Sequence, residues 1–257
     1  MPGPRSQIGI ATVKACLGIP IYDHGETIAA VVESLTSQDL PCIIVDDGCS
    51  ASTRAVLDRL EARHAWLEVI HHPENWGRGA ALRTAYRAAG RRGMTHVVQL
   101  DADGQHAAID VPRFLEAARA QPDALVLGAP TFDDSIPWHR RHGRKLSKVI
   151  VWAETGSTSV HDPLCGFRCI PLSPTLPLLD RVRSGNRMDF DPELVIRLVR
   201  AGVPVVNVPT AVDYPQGGVS HFRMVDDNLR IARAYVRLAF EAPWRASSLS
   251  IDGGRDS

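Results

Sequence analysis

The sequence has no excess of charge of either sign, since 29 Lys and Arg residues balance 29 Asp and Glu residues in a chain of 257. This balance argues against a bulk electrostatic hold on nucleic acid, and we expect no nucleic-acid partner. No apolar run approaches the 18 residues that mark a membrane-spanning helix, and the first residues lack the apolar core of a secretion signal. We therefore expect a cytoplasmic protein.

Cysteine is scarce and unpaired in the sequence. Five cysteines occur, an odd number, and none forms a Cys-x-x-Cys pair. The close pair Cys165 and Cys169 has no His or Cys partners at zinc-binding spacing. A disulfide framework and a structural zinc site are therefore excluded, and reduced thiols are expected.

Short apolar runs alternate with amphipathic stretches through about residue 130. The apolar runs are continuous rather than alternating, so both faces of each strand are expected to be buried between helices, as in a parallel sheet. An α/β fold is therefore predicted, with strands within 8–21, 42–45, 67–70, 97–100 and 124–127 and helices over 25–35, 52–63, 78–91 and from 111. The later pattern predicts helices over 136–153, 192–200 and 228–240 and a strand over 205–208.

The segment Val97–His106 carries two carboxylates directly after a predicted strand. Asp101 and Asp103 are two residues apart, so in extended backbone they project to the same side, and Gln105 continues that side. Ligands of α/β sheets bind at the carboxyl ends of parallel strands. Two carboxylates there suit Mg²⁺ or Mn²⁺ and leave room for phosphate oxygens. The alternative is a solvated turn in which Gly104 supplies a positive φ.

A second acidic pair, Asp46 and Asp47, closes the predicted strand 42–45. An acid at this position can accept hydrogen bonds from a ribose or a base, or it can cap a helix. The preceding segment offers Tyr22 as a stacking surface and Glu26 as a first-turn carboxylate, with a plain strand-to-helix turn as the alternative.

The order of these pieces resembles the family 2 glycosyltransferases of the GT-A fold, in the branch of dolichol-phosphate mannose synthase and polyprenyl-phosphate glycosyltransferases. The likeness spans about residues 16–223. It is carried, in order, by Pro-x-Tyr-Asp-x-x-Glu from Pro20, Val-Asp-Asp-Gly from Val45, Asn-Trp-Gly-Arg-Gly from Asn75, Asp-Ala-Asp-Gly-Gln-His from Asp101 and Asp-Pro-Leu-Cys-Gly-Phe-Arg from Asp162.

The resemblance implies a Rossmann-like, mixed but mostly parallel sheet flanked by helices. It implies one domain over 1–257, with a nucleotide-sugar half at about 8–130, an acceptor half at about 131–245 and a flexible tail at 246–257. It also implies donor-binding residues, metal ligands for Mg²⁺ or Mn²⁺ and catalytic residues. The residues expected to bind the donor are Pro20, Tyr22, Glu26, Asp46, Arg78, Asp101, Ser220 and Arg223. The expected metal ligands are Asp101, Asp103 and Gln105, and the expected catalytic residues are Asp162, Arg144 and Arg168.

By this resemblance, the chain would move a sugar from a UDP- or GDP-sugar to a lipid-linked acceptor, such as polyprenyl phosphate, with inversion at the sugar carbon. Arg144 and Arg223 would stabilise the leaving phosphate. A hydroxyl acceptor would need a base, for which Asp162 is the first candidate. Asp189 and Asp191 are rival candidates, although N-capping of the helix from Pro192 is the preferred interpretation of that pair.

Three positions depart from the family pattern and leave the acceptor less certain than the fold. Asp23 stands where the family often has Asn, and His221 where the closing loop often has Lys. Ala129 and Pro130 follow Gly128, where the family has an Arg soon after this point. The loss of that Arg removes one expected ligand of an acceptor phosphate.

The predicted C-terminal helix is basic and amphipathic. Its arginines share one stripe, Arg230, Arg233 and Arg237, and its apolar residues share another, Leu229, Ala232, Val236 and Phe240. Such a helix either rests on an anionic membrane surface or packs on its own domain with a solvated Arg face. Peripheral contact with the inner face of the membrane is the expectation in the first case.

Two other classes of protein remain to be separated from this reading. A haloacid-dehalogenase-like phosphatase also places Asp-x-Asp-Gly after a strand, but that motif usually lies near the N-terminus and continues with Thr or Val rather than Gln105. A degenerate, non-catalytic nucleotide-sugar-binding module is the alternative outside enzymology.

Overall fold

The computed structural model describes residues 12–131, 138–211 and 224–241, with side chains from 143 and 226 onward in the last two ranges. Seven strands are described: β1 Ala15–Ile21, β2 Cys42–Asp46, β3 Leu67–His71, β4 His96–Gln99, β5 Leu125–Thr131, β6 Arg168–Pro171 and β7 Val205–Ala211. Eight α-helices accompany them: α1 Ile28–Leu35, α2 Ala51–Arg63, α3 Arg78–Arg91, α4 Val111–Ala120, α5 Trp138–Thr155, α6 Leu172–Arg181, α7 Phe190–Arg200 and α8 Met224–Phe240.

The strands form one sheet in the order β3-β2-β1-β4-β6-β5-β7. β1 to β4 pair in parallel, β5 and β7 also pair in parallel, and β6 runs antiparallel to both of its neighbours. The predicted α/β class and mixed, mostly parallel sheet are therefore confirmed. Strands from both halves of the chain join this one sheet.

Helices cover both faces of the sheet, which is why the central strands have no polar face. All seven residues of β1 and all five of β2 are buried. One face packs against α1, α2 and α4 through Ile28, Val32, Leu57, Phe114 and Leu115. The other packs against α3 and α5 to α8 through Leu82, Val151, Leu178, Val195 and Ile231.

The sequence analysis predicted neither β6 nor α6. β6 has four residues, too short for a periodicity to show. α6 contains Pro177, yet it forms because Leu178 and Leu179 are buried in the core. Tertiary packing here outweighs the cost of proline inside a helix.

The antiparallel direction of β6 positions the site. Gln99, at the end of β4, pairs with Arg168, at the start of β6. The chain that leaves β4 and the chain that enters β6 therefore lie at the same edge of the sheet, where β1, β2 and β3 also end. Motifs that are more than sixty residues apart in sequence meet there.

Helix α8 packs in a different way from the one that its sequence pattern suggested. Its buried side chains are Ile231, Ala234, Tyr235 and Leu238. Leu229, Val236 and Phe240, which belong to the apolar stripe of the sequence analysis, are 47%, 60% and 87% exposed. Of the two alternatives for this helix, packing on the domain through that stripe is contradicted, because a second apolar face at 231–238 is the one that packs. In the described ranges, every helix is too short or too polar to cross a membrane.

Replacement of Phe114 by Ala is expected to lower the free energy of unfolding by about 3 to 5 kcal/mol, because it leaves a cavity in the core. Phe114 is fully buried and its ring stacks on Phe167 with centroids 4.0 Å apart. Chemical denaturation measures the change, and Glu116→Ala on the exposed face of the same helix is the matched control. Equal losses in both variants would contradict the assigned core.

Candidate active site

Polar side chains gather where the parallel strands end. β2 ends at Asp46 and is followed by Asp47, and β3 ends at His71. After β4 ends at Gln99, Leu100 and Asp101 come next in the chain. Because β1 to β4 are parallel, these positions share one edge of the sheet. The predicted donor-binding and metal-binding segments are thus brought together at one edge.

The acidic turn, defined as residues 101–105, is a turn and not the extended backbone that the sequence analysis assumed for Asp101, Asp103 and Gln105. Gly104 has a φ of +76°, a conformation that favours glycine. The backbone N–H of Gln105 donates to Asp103 Oδ1 at 3.0 Å. Asp101 and Asp103 are both partly buried. Burial and the neighbouring charge of Asp101 raise the pKa of Asp103 above its ordinary value. Two carboxylates therefore interact closely in this turn.

Asp101 is held by a chain of alternating charges that runs into the protein interior. Arg78 Nη1 lies 2.5 Å from Asp101 Oδ1, and Arg78 Nε donates to Asp191 Oδ2 at 2.9 Å. Arg168 Nη1 lies 3.2 Å from Asp191 Oδ1. We call Asp101, Arg78, Asp191 and Arg168 the ion-pair chain. Gln99 extends it, since its amide donates to Asp191 and its carbonyl accepts from Tyr86 at 2.5 Å.

The ion-pair chain fixes the protonation of its members. Burial alone would raise the pKa of Asp101, but Arg78 and His106 hold it well below its usual range. Asp191 behaves in the same way, with Arg78 and Arg168 outweighing burial and lowering its pKa. Burial would lower the pKa of Arg78, but the two carboxylates raise it. All three groups therefore remain charged at neutral pH.

The structure gives three of these residues partners inside the protein, and donor binding by Arg78 and catalysis by Arg168 stay predictions. Arg78, expected to bind the donor, is directed at Asp101 and Asp191. Arg168, expected to be catalytic, is fully buried and donates to the backbone carbonyls of Cys165, Pro163 and Asp191. Asp191 does not cap a helix but links the two arginines. All three position Asp101 and the 163–168 segment rather than face the open site.

Asp189, the other residue of the rival pair, occupies the N-cap position of α7 without a side-chain capping bond. Its Oδ1 instead accepts from the backbone N–H of Arg187 at 3.2 Å. The N-capping interpretation of the pair is therefore wrong in its hydrogen bonds, although Asp189 does stand at the helix start.

Two neighbours of Asp101 were quoted in motifs but not assigned a role. A Cβ at Gly166 would lie 2.2 Å from Asp101 Oδ2, so only glycine fits there. His106 Nε2 lies 3.4 Å from the same oxygen, and the buried His106 ring packs against Phe167 at 5.3 Å. The sequence could have pointed to both residues, because each lies in a motif that also contains assigned residues.

The donor set of the acidic turn fits a divalent cation. Asp101 and Asp103 present two partly buried carboxylates from the same turn, with Arg78 Nη1 beside Asp101 Oδ1. In the described parts of the chain, no cluster of three or more His, Cys, Asp or Glu side chains is arranged for a metal ion. The protein would therefore supply few oxygens and leave the remaining positions to phosphate and water, as Mg²⁺ and Mn²⁺ sites commonly do.

Asp46, expected to contact the nucleoside, lies entirely below the surface. Its Oδ1 accepts from the backbone N–H of Cys49 at 2.7 Å, and its Oδ2 accepts from Arg54 Nε at 2.9 Å and bonds with His71 Nδ1 at 2.7 Å. Burial alone would raise the pKa of Asp46, but these hydrogen bonds and the charge of Arg54 lower it. In this structure Asp46 anchors the loop, and its contact with the nucleoside stays a prediction.

Asp47 organises the next loop in a similar way. Its two oxygens accept from the backbone N–H groups of Trp76, at 3.0 Å, and Gly77, at 2.8 Å. Its Oδ1 also bonds with His72 Nδ1 at 2.9 Å. The side chain that the sequence analysis left without a role therefore joins β2 to the start of α3.

The segment after β1 keeps its predicted position beside this edge. Pro20 is buried within β1, while Tyr22 and Glu26 are exposed. Asp23 has a φ of +50°, and its Oδ1 accepts from the backbone N–H and the hydroxyl of Ser50, each at 2.7 Å. Asn and Asp tolerate this backbone conformation better than other residues with a side chain, which accounts for Asp at a position where Asn is common.

Arg144 and Asp162, both assigned to catalysis, are brought into contact. Arg144 Nη1 donates to Asp162 Oδ2 at 2.5 Å, and the backbone N–H of Leu164 donates to Asp162 Oδ1 at 2.8 Å. Asp162 is buried, and Arg144 is partly exposed. α5 is thereby tied to the segment that lies on the acidic turn. Ser220 and Arg223, the remaining assigned residues, lie outside the described residues.

Comparison with known proteins identifies the family. The model of the glycosyl transferase family 2 matches residues 16–171, more than half of the chain. The chain belongs to the glycosyl transferase family 2. This membership supports a transferase and argues against the phosphatase considered above.

Named relatives and a solved structure agree with this family. A polyprenol monophosphomannose synthase of Mycolicibacterium smegmatis is 28% identical, with 86% of this chain and 84% of the relative covered. An undecaprenyl-phosphate mannosyltransferase of Micrococcus luteus is 25% identical, with 74% and 80% covered. A mannosyltransferase of Pyrobaculum calidifontis, solved with GDP-Man and Mn²⁺, has a TM-score of 0.60 at 18% identity, with 88% of this chain and 62% of that chain covered. The last likeness shows the GT-A fold.

Replacement of Asp46 by Asn should lower the free energy of unfolding by about 2 kcal/mol at neutral pH, because charge-assisted hydrogen bonds are lost. The folded-state pKa lies below the unfolded value of about 3.9. The contribution is therefore complete above about pH 4 and is lost as the pH falls through the folded-state pKa. Denaturation over a pH series should show the difference from wild type shrinking below about pH 4.

The matched control for this prediction is Asp180→Asn, which removes an exposed ion pair with Arg87. Such surface pairs contribute about 1 kcal/mol or less. A loss in Asp46→Asn that stayed constant down to the acid limit would contradict the internal anchoring of Asp46.

Proposed function

We propose that this chain is a metal-dependent, inverting hexosyltransferase that moves a sugar from a UDP- or GDP-sugar to a lipid-linked acceptor, such as polyprenyl phosphate. The observation that carries this proposal is the meeting of the acidic turn with the 162–168 segment. Gly166 lies directly on Asp101, and Asp162 of the same segment pairs with Arg144. Donor-binding and acceptor-binding parts of the chain thus share one site.

Asp101 and Asp103 are the residues proposed to hold Mg²⁺ or Mn²⁺ together with the donor diphosphate, with Gln105 beside them. When bound, such a cation supplies positive charge that stabilises the leaving phosphate. The ion-pair chain keeps Asp101 ionised and fixed for this task. Two relatives are named for transfer to polyprenol or undecaprenyl phosphate, which supports this acceptor class. The GDP-Man and Mn²⁺ of the structural neighbour support the donor and the metal.

The contacts of Asp162 favour a phosphate acceptor over a hydroxyl. One oxygen of Asp162 is engaged by Arg144 and the other by the Leu164 backbone. A carboxylate held in this way is a poor general base, and an anionic phosphate needs none. Asp162 is therefore proposed to position Arg144, whose guanidinium would face the phosphates. The acceptor half of the chain would then act by charge and position.

The outward faces of α5 and α8 support peripheral contact with an anionic membrane. On α8 the exposed Leu229, Val236 and Phe240 share one side with the exposed Arg233. Leu146 and Val149 of α5, which packs against α8, are also 62% and 56% exposed. Cations that flank exposed apolar residues suit a bilayer surface with anionic lipids. The acceptor lipid would then be met where it resides.

Replacement of Asp103 by Ala is expected to reduce sugar transfer about a hundredfold or more, because half of the carboxylate pair that holds the cation is lost. Transfer from GDP- or UDP-sugars to polyprenyl phosphate with Mn²⁺ is the measurement. Unfolding is expected to stay near wild type, since Asp103 lies in a turn. Asp123→Ala, an exposed acid at the opposite end of the sheet, is the control. Wild-type turnover by the Asp103 variant would refute the metal assignment.

Replacement of both Val236 and Phe240 by Ser should weaken binding to vesicles that contain anionic lipid, because exposed apolar area is removed from the outward stripe of α8. Full burial of each side chain would contribute up to about 3 kcal/mol. Flotation at low salt measures the effect, with Ala239→Ser, an exposed small residue on the flank of this stripe, as the control. Absence of wild-type flotation would exclude the membrane contact but leave the transferase proposal standing.

A further inference from the structure

Trp76 is an exposed aromatic residue at the edge of the sheet that holds the proposed site. In the described ranges, the aromatic side chains that are exposed are Tyr22, at 37%, Trp76, at 43%, and Phe240 on the distant α8. Tyr22 follows β1, and Trp76 lies between β3 and α3. An indole left in water at the carboxyl end of the strands calls for an explanation, since Trp is ordinarily well buried.

The backbone around Trp76 is fixed directly onto the loop after β2. The N–H groups of Trp76 and Gly77 both donate to the buried Asp47 carboxylate. A Cβ at Gly48 would lie 2.4 Å from the backbone N of Asn75, so the two loops are in close contact. Trp76 therefore lies beside the Asp46–Asp47 turn, next to Asp46, which the sequence analysis expects to bind the donor.

The indole ring itself is also held in place. Its inner side packs on His72, with ring centroids 4.3 Å apart, and its Nε1 donates to Glu74 Oε1 at 3.3 Å. His72 is buried and bonded through Nδ1 to Asp47 and through Nε2 to Thr84 Oγ1, each at 2.9 Å. The ring is thus backed by His72, while 43% of the residue remains exposed. Such pre-organisation lowers the entropic cost of stacking a planar ligand on the ring.

We propose that the exposed indole of Trp76 stacks the base of the donor nucleotide. The inference rests on the proposed function, because it takes the ligand to be a nucleoside diphosphate sugar. It goes further by naming a contact to the base in addition to the predicted Tyr22 and Asp46. Every nucleobase has a π face, and a bicyclic purine offers more of it than uracil. Trp76 therefore favours guanosine over uridine donors.

The test measures binding of GDP, UDP and inorganic pyrophosphate to the full chain with Mn²⁺ by calorimetry. Trp76→Ala should weaken GDP about 10- to 100-fold, the range expected for loss of one base stack, and UDP by less. Pyrophosphate, which has no base, should bind both proteins equally. Trp76→Phe should keep most of the GDP affinity, because a phenyl ring still stacks.

Fluorescence provides the second measurement, since a stacked base quenches the indole. GDP should quench emission of the wild type and of Trp66→Phe, whose indole lies at the amino end of β3, but not that of Trp76→Phe. Equal GDP affinity in wild type and Trp76→Ala would overturn the stacking proposal and leave the transferase proposal intact. If Trp76→Ala weakened pyrophosphate binding as much as GDP binding, the stacking proposal would also be overturned, because the substitution would then have changed the loop rather than removed a contact to the base. Failure of the wild type to bind either nucleotide would overturn both proposals.

Discussion

The ion-pair chain of Asp101, Arg78, Asp191 and Arg168 is the interaction on which the arrangement of the site depends. Its signs alternate, and its carboxylates are each paired with at least one guanidinium. Removal of one partner from such a buried set leaves an uncompensated charge, at a cost of about 3 to 5 kcal/mol. The ion-pair chain therefore holds Asp101, the first acid of the acidic turn, in one place and in its ionised state.

The antiparallel strand β6 is the topological counterpart of this network. If β6 ran parallel to β4, its entering segment would lie at the other end of the sheet. Because it is reversed, Arg168 pairs with Gln99, and Gly166 can lie on Asp101 without a side chain between them. The ion-pair chain then fastens this segment through Arg168 and the carbonyls of Pro163 and Cys165. The strand direction and the buried charges together place the segment of Asp162, with its partner Arg144, beside the acidic turn.

The sequence was sufficient to predict the elements with strong apolar periodicity and the location of the acidic turn. Helix 78–91 was predicted with its observed bounds, and the turn at 101–105 lies at a strand end as expected. The sequence could not show which charged side chains are engaged inside the fold. Arg78 and Asp191 are 113 residues apart, so no local pattern reveals their pairing, and a motif residue with an internal partner resembles one that is open to ligand. The same limit applied to Asp46 and Arg168, and the packed face of α8 at 231–238 was missed because the helix has two apolar faces.

The acceptor half connects the site to the exposed stripe through further buried charges. Arg200 of α7 donates to the carbonyls of Glu154, on α5, and Leu238, on α8. Glu193, fully buried, accepts from Arg197 and from Arg237 of α8, so one of the three arginines that looked like part of a solvated stripe is instead an internal tie. α5 carries Arg144, and α8 carries Phe240, and both are fastened to the same helix. The positions of Arg144 and of the exposed stripe on α8 therefore both depend on contacts with α7.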